Sequence, residues 1–325
     1  MQTTIDTIFN NNTFIKPYFI FNWSKKLEPE VPYFSYEKPK DYTYKHSIMI
    51  KSLYKTITLY GNFTEFPKKI DKTILKYNNI ELLKSNLQKG IRRQNVKVSV
   101  LTARHLLDID ELAFLRRISI ITIEDVEINN QFPIIIWLMI ACSNKYKLKI
   151  YQKEWLLGYV YAIAKHNHTD KIFHKLNLQN YKVLNILEKI KSNKHYDLVT
   201  CVEIRRCFGG MNCDMNMLYK LIWYLGMKAR TNQAFTVIDV PAIEYNTDNL
   251  DKNEWILESV DYHCFPKIID WLKDKTKLNQ NIKEEIWNYR SSVNYREKRI
   301  IIPLEWKDIN KELNKIAYYV ISRFS

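Results

Sequence analysis

Glycine is scarce in this chain of 325 residues, which contains only six of them. Glycine supplies the positive φ angles of tight turns, so a glycine-turned all-β sandwich or barrel is excluded. The phosphate-binding patterns GxGxxG and GxxxxGK[ST] are both absent, and each works by letting backbone N–H groups approach a phosphate closely. The chain is therefore neither a Walker-type ATPase nor a standard dinucleotide enzyme, and no cofactor is expected.

Long apolar runs and abundant cysteine are also missing. The most apolar stretch, residues 132–142, has the length of a core helix and falls short of the roughly 18–20 residues of a membrane span. The amino-terminal residues lack the pattern of a secretory leader, and five cysteines are an odd, sparse number. We therefore expect no membrane partner and a reducing intracellular compartment: cytoplasm, nucleus or, given an A/T-rich coding style that suits a large DNA virus, a viral factory.

Positive charge is plentiful, with 50 lysines and arginines against 35 acidic residues and a formal net charge of +15. Such a balance favours polyanionic partners, and DNA or RNA is the expected one. Compositional drift is the alternative, because A/T-rich codons enrich lysine without any functional demand. A homo-oligomer or a replication protein is a further expected partner.

The hydrophobic pattern divides the chain into three consecutive segments. Residues 1–68 hold five of the nine prolines and are expected to form an extended, irregular arm with at most one small β-hairpin. Residues 69–194 and 195–325 repeat apolar positions every three to four residues, which predicts two helical domains. Three residues mark helix starts in the first of these: Asn95, Asp110 and Pro133. The expected fold class is mostly α, a multi-helical, bundle-like architecture behind the arm.

Residues 87–126 form the most informative stretch. The first helix in it ends in the pair Arg92 and Arg93, for which phosphate contact and simple surface solvation are both open. A later helix carries two arginines seven to nine residues before two carboxylates, which places the pairs close to one face. We expect these four residues to form buried or half-buried ion pairs that fix helix packing: Arg116, Arg117, Glu124 and Asp125.

The same stretch resembles the helical region that follows the ATPase core in RarA/MgsA-type AAA+ proteins, the clamp-loader-like family of replication-fork maintenance. The shared pattern is LQK-x-IRR, a short loop, the pair Ala103–Arg104, then LRR, IEDV and Pro133 in that order. The likeness covers about residues 80–165 and implies a module that supports oligomerisation and lid packing. It does not imply ATP hydrolysis, because the Walker A lysine is missing, and the glycine that commonly follows EDV is Glu127 here.

A second candidate site surrounds two adjacent glycines. Arg205 and Arg206 precede Gly209 and Gly210, after which a new helix is predicted. Backbone N–H groups at a helix start attract anions, so this arrangement predicts a phosphate site. The alternative is a plain helix–helix corner capped by Asp214.

Aromatic and basic residues alternate in a third candidate region, residues 284–299. Arg290 and Arg296 lie among tryptophan and tyrosine there, and rings combined with guanidinium groups are typical of single-strand nucleic-acid binding. A surface helix packed over a hydrophobic core is the alternative.

No metal site is expected; Asp214, Asp261 and His263 are weak candidates for metal binding or acid–base chemistry. The sequence does not bring them together, so no catalytic residue is assigned and an enzyme is the less expected outcome. The function expected first is a non-ATPase, nucleic-acid-binding accessory of DNA replication, recombination or repair. The alternatives are a metal-dependent nucleic-acid-processing enzyme and a structural or assembly protein.

Overall fold

A computed structural model shows the chain to be mostly helical with one small β-sheet. It describes residues 15–26, 28–50, 55–66, 77–176, 183–245, 250–251, 254–262, 266–276, 281–293 and 301–323. Two compact units are present, and each is built from three separate chain segments. Unit 1 comprises residues 1–67, 127–151 and 170–238, and unit 2 comprises residues 68–126, 152–169 and 239–325. The three consecutive segments expected from the sequence do not coincide with these units, because segments distant in the chain pack together.

The described residues contain four strands and eleven α-helices. The strands are β1 (Tyr18–Trp23), β2 (Tyr33–Ser35), β3 (Tyr44–Ile50) and β4 (Lys55–Phe63). The helices are α1 (Ile80–Arg92), α2 (Val96–Ile109), α3 (Glu111–Asp125), α4 (Phe132–Ser143), α5 (Ile150–Lys165), α6 (Val183–Lys189), α7 (Tyr196–Cys207), α8 (Asn212–Arg230), α9 (Pro266–Thr276), α10 (Ile282–Ile286) and α11 (Leu304–Ser322). A π-helical turn, Trp287–Ser291, follows α10 directly.

The amino-terminal segment is a sheet and not an irregular arm, which corrects the expectation for its described part. The strand order is β2-β1-β4-β3, with β1 parallel to β4 and both outer pairs antiparallel. The expected hairpin is β3–β4. The prolines lie outside the strands, at Pro17, Pro29, Pro32 and Pro39, because proline cannot donate to a ladder. These prolines therefore lie between the strands or just before them.

Helix α4 supplies the core under one face of the sheet. Trp137 is fully buried, and its indole Nε1 donates to the Phe19 carbonyl at 3.1 Å. Its ring meets those of Phe21 and Phe63 edge-on, at centroid distances of 5.2 and 5.4 Å. The apolar run at residues 132–142 is thus a core helix, as its length predicts.

The predicted helix starts of the first helical region are confirmed. The side chain of Asn95 accepts from the Val98 N–H at 3.2 Å, and that of Asp110 accepts from the Ala113 N–H at 2.9 Å. Pro133 lies in the first turn of α4, where its missing N–H costs nothing.

No helix of the described residues is long and apolar enough to span a membrane. The four described cysteines are free thiols: Cys142, Cys201, Cys207 and Cys213.

Candidate nucleic-acid interface

Arg92, expected as a phosphate contact, is buried in unit 2 and 3% exposed. Its Nε donates to Asp125 Oδ1 at 2.5 Å, and one terminal nitrogen donates to Glu124 Oε1 at 3.2 Å. The other terminal nitrogen donates to the Ser291 carbonyl at 2.7 Å. Every arm of the guanidinium group is therefore engaged inside the protein.

Arg93 and Lys89 make the same kind of contact on either side. Arg93 donates to Glu258 Oε2 at 2.6 Å and to the carbonyl of Arg290 at 2.9 Å. Lys89 Nζ donates to the Ser291 carbonyl at 2.8 Å and lies 3.5 Å from Asp261. Three cations at the end of α1 thus bind the last carbonyls of the π-helical turn. For Arg92 and Arg93 this corrects both expectations, phosphate contact and surface solvation.

The pKa values of this network follow from burial and charge pairing. Burial acts to raise the pKa of Asp125, but the Arg92 guanidinium outweighs it and holds that pKa below its usual range. The same competition lowers the pKa of Glu258, with Arg93 and then Arg290 as the cations. Burial, reinforced by Arg92, lowers the pKa of Lys89 to about 8. The carboxylates are thus held ionised while Lys89 is destabilised as a cation.

The carboxylates at the end of α3 do form a buried ion pair, and α1 supplies its cation. Gln88 Nε2 donates to Glu124 at 2.8 Å and to Asp125 at 3.0 Å. Arg117 donates to the side-chain oxygen of the same Gln88. Asp125 is therefore paired with Arg92 of α1, and not with an arginine of its own helix as expected. Arg116 is half-buried on α3.

Arg290 is also withdrawn from solvent, at 1% exposed. It donates to Asn314 Oδ1 at 2.8 Å and to the Leu257 carbonyl at 3.2 Å, and it lies over the ring of Tyr262 at 5.3 Å. Its neighbour in the prediction, Arg296, lies outside the described residues. Arg290 therefore joins α11 to the π-helical turn.

The glycine pair forms a corner between α7 and α8. Arg205 is 3% exposed and donates to the Gly209 carbonyl at 2.9 Å, and Arg206 binds both oxygens of Glu203 at 2.7 Å. Gly209 has a φ of +73°, which explains a glycine there. A Cβ on Gly210 would lie 3.6 Å from a carboxylate oxygen of Asp214. An acid at this helix start opposes anion binding, so the structure favours the alternative reading, a corner.

The candidate metal ligands do not meet in the described part of the chain. Asp261 accepts from the Ser291 hydroxyl at 2.8 Å, Asp214 lies in the first turn of α8, and His263 is outside the described residues. Among the residues described, no three histidine, cysteine or acidic side chains are grouped as a metal site.

A different surface of unit 1 combines exposed rings and cations. Cross-strand partners project to the same side of a sheet, so the register separates a face packed on Trp137 from an open face. The open face carries Tyr18, Ile20, Tyr33, Lys45, Ser47, Thr58 and Tyr60. Tyr42, just before β3, adds its ring at 4.9 Å from that of Tyr60. Tyr18 approaches Tyr60 from the other side at 5.7 Å, so three rings form a continuous row.

Lysines stand over this row. Lys45 Nζ lies 5.9 Å from the centre of the Tyr60 ring, and Lys38 Nζ lies 5.5 Å from that of Tyr42. Both lysines are exposed, and the Tyr33 and Tyr42 side chains are 42% and 38% exposed. Tyr60 and Ile20 are buried, so a ligand would reach this face through its exposed residues. The open face therefore offers accessible rings, cations and the paired hydroxyls of Ser47 and Thr58, which lie 2.8 Å apart.

Net charge points to the same unit. The segments of unit 1 contain 22 lysines and arginines against 12 acidic residues, whereas those of unit 2 contain 28 against 23. Two thirds of the net positive charge of the chain thus belongs to unit 1.

Sequence reasoning missed the open face, although a signal for it exists. The segment YKHSIMI at β3 alternates between half-buried and exposed positions, which is the period of a strand with one wet face. The prediction stopped at a hairpin because the pairing of β1 with β4 joins residues about 40 positions apart.

Comparisons with family models, with curated proteins and with solved structures found no match to this chain.

Proposed function

We propose that this protein binds single-stranded nucleic acid through the open face of unit 1. The observation that carries the proposal is the row of rings Tyr18, Tyr60 and Tyr42 with Lys45 and Lys38 over it. The role in DNA replication, recombination or repair remains a prediction from the resemblance described above.

Stacking provides the first part of the binding. A nucleobase stacked on an aromatic side chain contributes about 1–3 kcal/mol, with little dependence on sequence. Tyr42 and Tyr33 are accessible enough for such contacts, and Tyr60 holds the Tyr42 ring from behind. In other proteins a four-stranded sheet binds single strands in this way, and the analogy concerns the mode of contact alone.

Phosphate neutralisation provides the second part. Lys38 and Lys45 are exposed and make no ion pair among the described residues, so their charge is available to a phosphate backbone. Neutral hydroxyl donors lie beside them, since Ser47 and Thr58 share one hydrogen bond and keep further capacity. A face of this chemistry favours a flexible strand, whose bases can turn toward the rings.

Fluorescence anisotropy with labelled oligo(dT), oligo(U) and a DNA duplex tests the proposal. We expect the single strands to bind more tightly than the duplex. The variant Tyr42→Ala should weaken single-strand binding roughly 5- to 150-fold. The variant Lys38→Gln/Lys45→Gln should reduce the slope of log affinity against log salt by about 1.4, because each lost phosphate contact on a single strand removes about 0.7.

The matched control is Lys147→Gln/Lys194→Gln, which removes the same charge from exposed positions of unit 1. Lys147 follows Tyr146, whose ring packs against Phe63 and Trp137 on the covered side of the sheet. The control should bind almost as the unaltered protein does. Equal losses in both double variants would show that only overall charge matters, and absence of binding at low salt would overturn the proposal.

A further inference from the structure

Unit 1 contains a small pocket between α6 and α8, lined by residues that do not belong to the open face. Its volume is about 130 Å³. The residues that line it, here called the Trp223 pocket, are Asn185, Ile186, Lys189, Trp223, Gly226, Met227 and Arg230. An apolar protein cavity of about 150 Å³ holds a benzene molecule, so the pocket has room for one planar ring.

Gly226 sets the geometry of this pocket. A Cβ on Gly226 would lie 2.2 Å from Cγ2 of Ile186, a distance that real side chains do not reach. Only glycine therefore lets α6 lie this close to α8. The close approach brings Lys189, at the end of α6, to the same pocket as Trp223 and Arg230 of α8.

The pocket combines an apolar wall with a cationic rim. Trp223 is half-buried, and Met227 is 45% exposed, so a ring entering the pocket finds an indole and a thioether. Lys189 and Arg230 are exposed and make no ion pair or hydrogen bond within the described part of the chain. Both lie in the last turn of their helices, where the helix dipole favours a cation.

Asn185 completes the set with an exposed amide that is likewise unengaged among the residues described. An amide offers donors and an acceptor, which suits the mixed edge of a nucleobase. None of the described lining residues is acidic. The lining therefore complements a ligand that is planar and apolar at one end and anionic at the other.

We propose that the Trp223 pocket binds one nucleotide, with the base against Trp223 and the phosphate between Lys189 and Arg230. The ring-sized volume leaves the sugar and phosphate at the rim, where the two cations lie. The nucleotide comes either from the free pool or from within a strand, and the chemistry is the same in both cases. Its residues are not those of the open face, so binding at this pocket can be tested independently of the proposed function.

Isothermal titration of the full chain with AMP, UMP, adenosine and inorganic phosphate tests the proposal. We expect AMP and UMP to bind with a dissociation constant on the order of 0.1–1 mM. Adenosine and phosphate should each bind at least about tenfold more weakly, because each lacks one half of the contacts. Similar affinity for phosphate and for AMP would overturn the proposal, since the ring would then contribute nothing.

The variant Lys189→Gln/Arg230→Gln separates the two halves of the site. Both side chains are exposed, so the variant should fold, and AMP binding should weaken about tenfold while adenosine binding stays unchanged. The control Lys145→Gln/Lys147→Gln removes equal charge from exposed positions between α4 and α5 and should leave both unchanged. Trp223→Leu should abolish binding, with Trp223→Phe retaining part of it as a check on folding. Unchanged AMP binding in Lys189→Gln/Arg230→Gln would overturn the proposal.

The source of the nucleotide is settled with Tyr42→Ala, which disables the open face alone. AMP binding that persists in this variant supports a site for free nucleotide. The alternative outcome is that AMP binds barely detectably, while a 5′-phosphorylated decanucleotide binds more weakly to Lys189→Gln/Arg230→Gln than to the unaltered protein. In that case the pocket binds a nucleotide that is part of a strand. The proposal would be wrong if the affinities for AMP, UMP and the decanucleotide did not depend on Lys189 and Arg230. This holds even if the open face binds nucleic acid.

Discussion

The two units use the same pair of groups, a cation over an aromatic ring, in opposite ways. In unit 2, Arg92 Cζ lies 5.9 Å from the centre of the Trp287 ring, and the arginine is 3% exposed. In unit 1, Lys45 Nζ lies at the same 5.9 Å from the Tyr60 ring, and the lysine is exposed. The distance from cation to ring therefore does not distinguish a packing contact from a binding surface.

The two sets of cations differ in whether carboxylates pair with them. The cations of α1 form ion pairs with Asp125, Glu124, Glu258 and Asp261. Their charge is therefore neutralised inside the protein. Lys38 and Lys45 of the open face have no such partner among the described residues. A charge that is already paired and buried adds little to steering a polyanion, whereas an unpaired surface charge adds its full share.

The strongest way to test this difference is to remove a carboxylate from unit 2. Asp125→Ala leaves the buried Arg92 without its nearest anion, and breaking a buried pair from one side costs about 3–5 kcal/mol. Urea unfolding followed by circular dichroism should show that loss in the free energy of unfolding. The control Glu81→Ala removes an acid whose side chain is 83% exposed in its pair with Lys84, and it should cost less than about 1 kcal/mol. Equal effects would place Arg92 at the surface.

Acid should loosen unit 2 through the same carboxylates. The pKa values of Asp125 and Glu258 are below their ordinary values in the folded protein, so the unfolded chain binds more protons at low pH. Their contribution to stability is complete only above the unfolded-state pKa values of roughly 4 to 4.5, and it is lost progressively as the pH falls below about 5. Unfolding curves at pH 7, 4 and 3 should show the loss, and it should be smaller in Asp125→Asn. A loss of the same size in that variant would assign it to other groups.

Alkali should act on unit 2 in the opposite direction, and less strongly. Burial lowers the pKa of Lys89 to about 8 from the model-compound value of 10.5. Between these values the unfolded chain binds the additional proton, so the free energy of unfolding should rise with pH across this interval. Lys89→Met removes the titrating group, and its stability should rise less than that of the unaltered protein. Parallel pH profiles for the two proteins would contradict the buried position of Lys89.

The smallest effect on stability is expected from the open face. Lys38→Gln/Lys45→Gln removes two exposed charges over rings, and such contacts contribute about 0.5–1 kcal/mol each at most. We expect the free energy of unfolding to change by less than about 1–2 kcal/mol while single-strand affinity changes clearly. A large loss of stability with no change in affinity would reverse the comparison and give the open face a structural role.

Local signals in the sequence predicted the helices well, because they depend on neighbours a few positions away. Asn95 and Asp110 cap the helices that their positions indicate. The reason for Gly158 lies outside its local sequence. It sits within α5 and leaves room for the Pro241 carbonyl, which a Cβ at this position would approach to 2.1 Å.

The roles of the arginines were not predictable in this way. Arg92 looks like a helix-end cation in the sequence, yet its partners Asp125 and Ser291 are 33 and 199 positions away. Nothing near Arg92 in the chain distinguishes it from a solvated residue. The row of tyrosine rings was unpredictable for the same reason, because Tyr18 and Tyr60 meet only through the pairing of β1 with β4.

The sequence by itself determined the mostly helical class, the helix starts, the core helix at residues 132–142 and the excess of positive charge. Each of these depends on composition or on residues within one or two turns of each other. The tertiary structure alone decided which cations are paired and which are exposed, where the sheet presents its rings and how Gly226 brings Lys189 to Trp223. Those outcomes depend on burial and on contacts between distant segments, and the free energy of a charge is set by the groups that surround it in space.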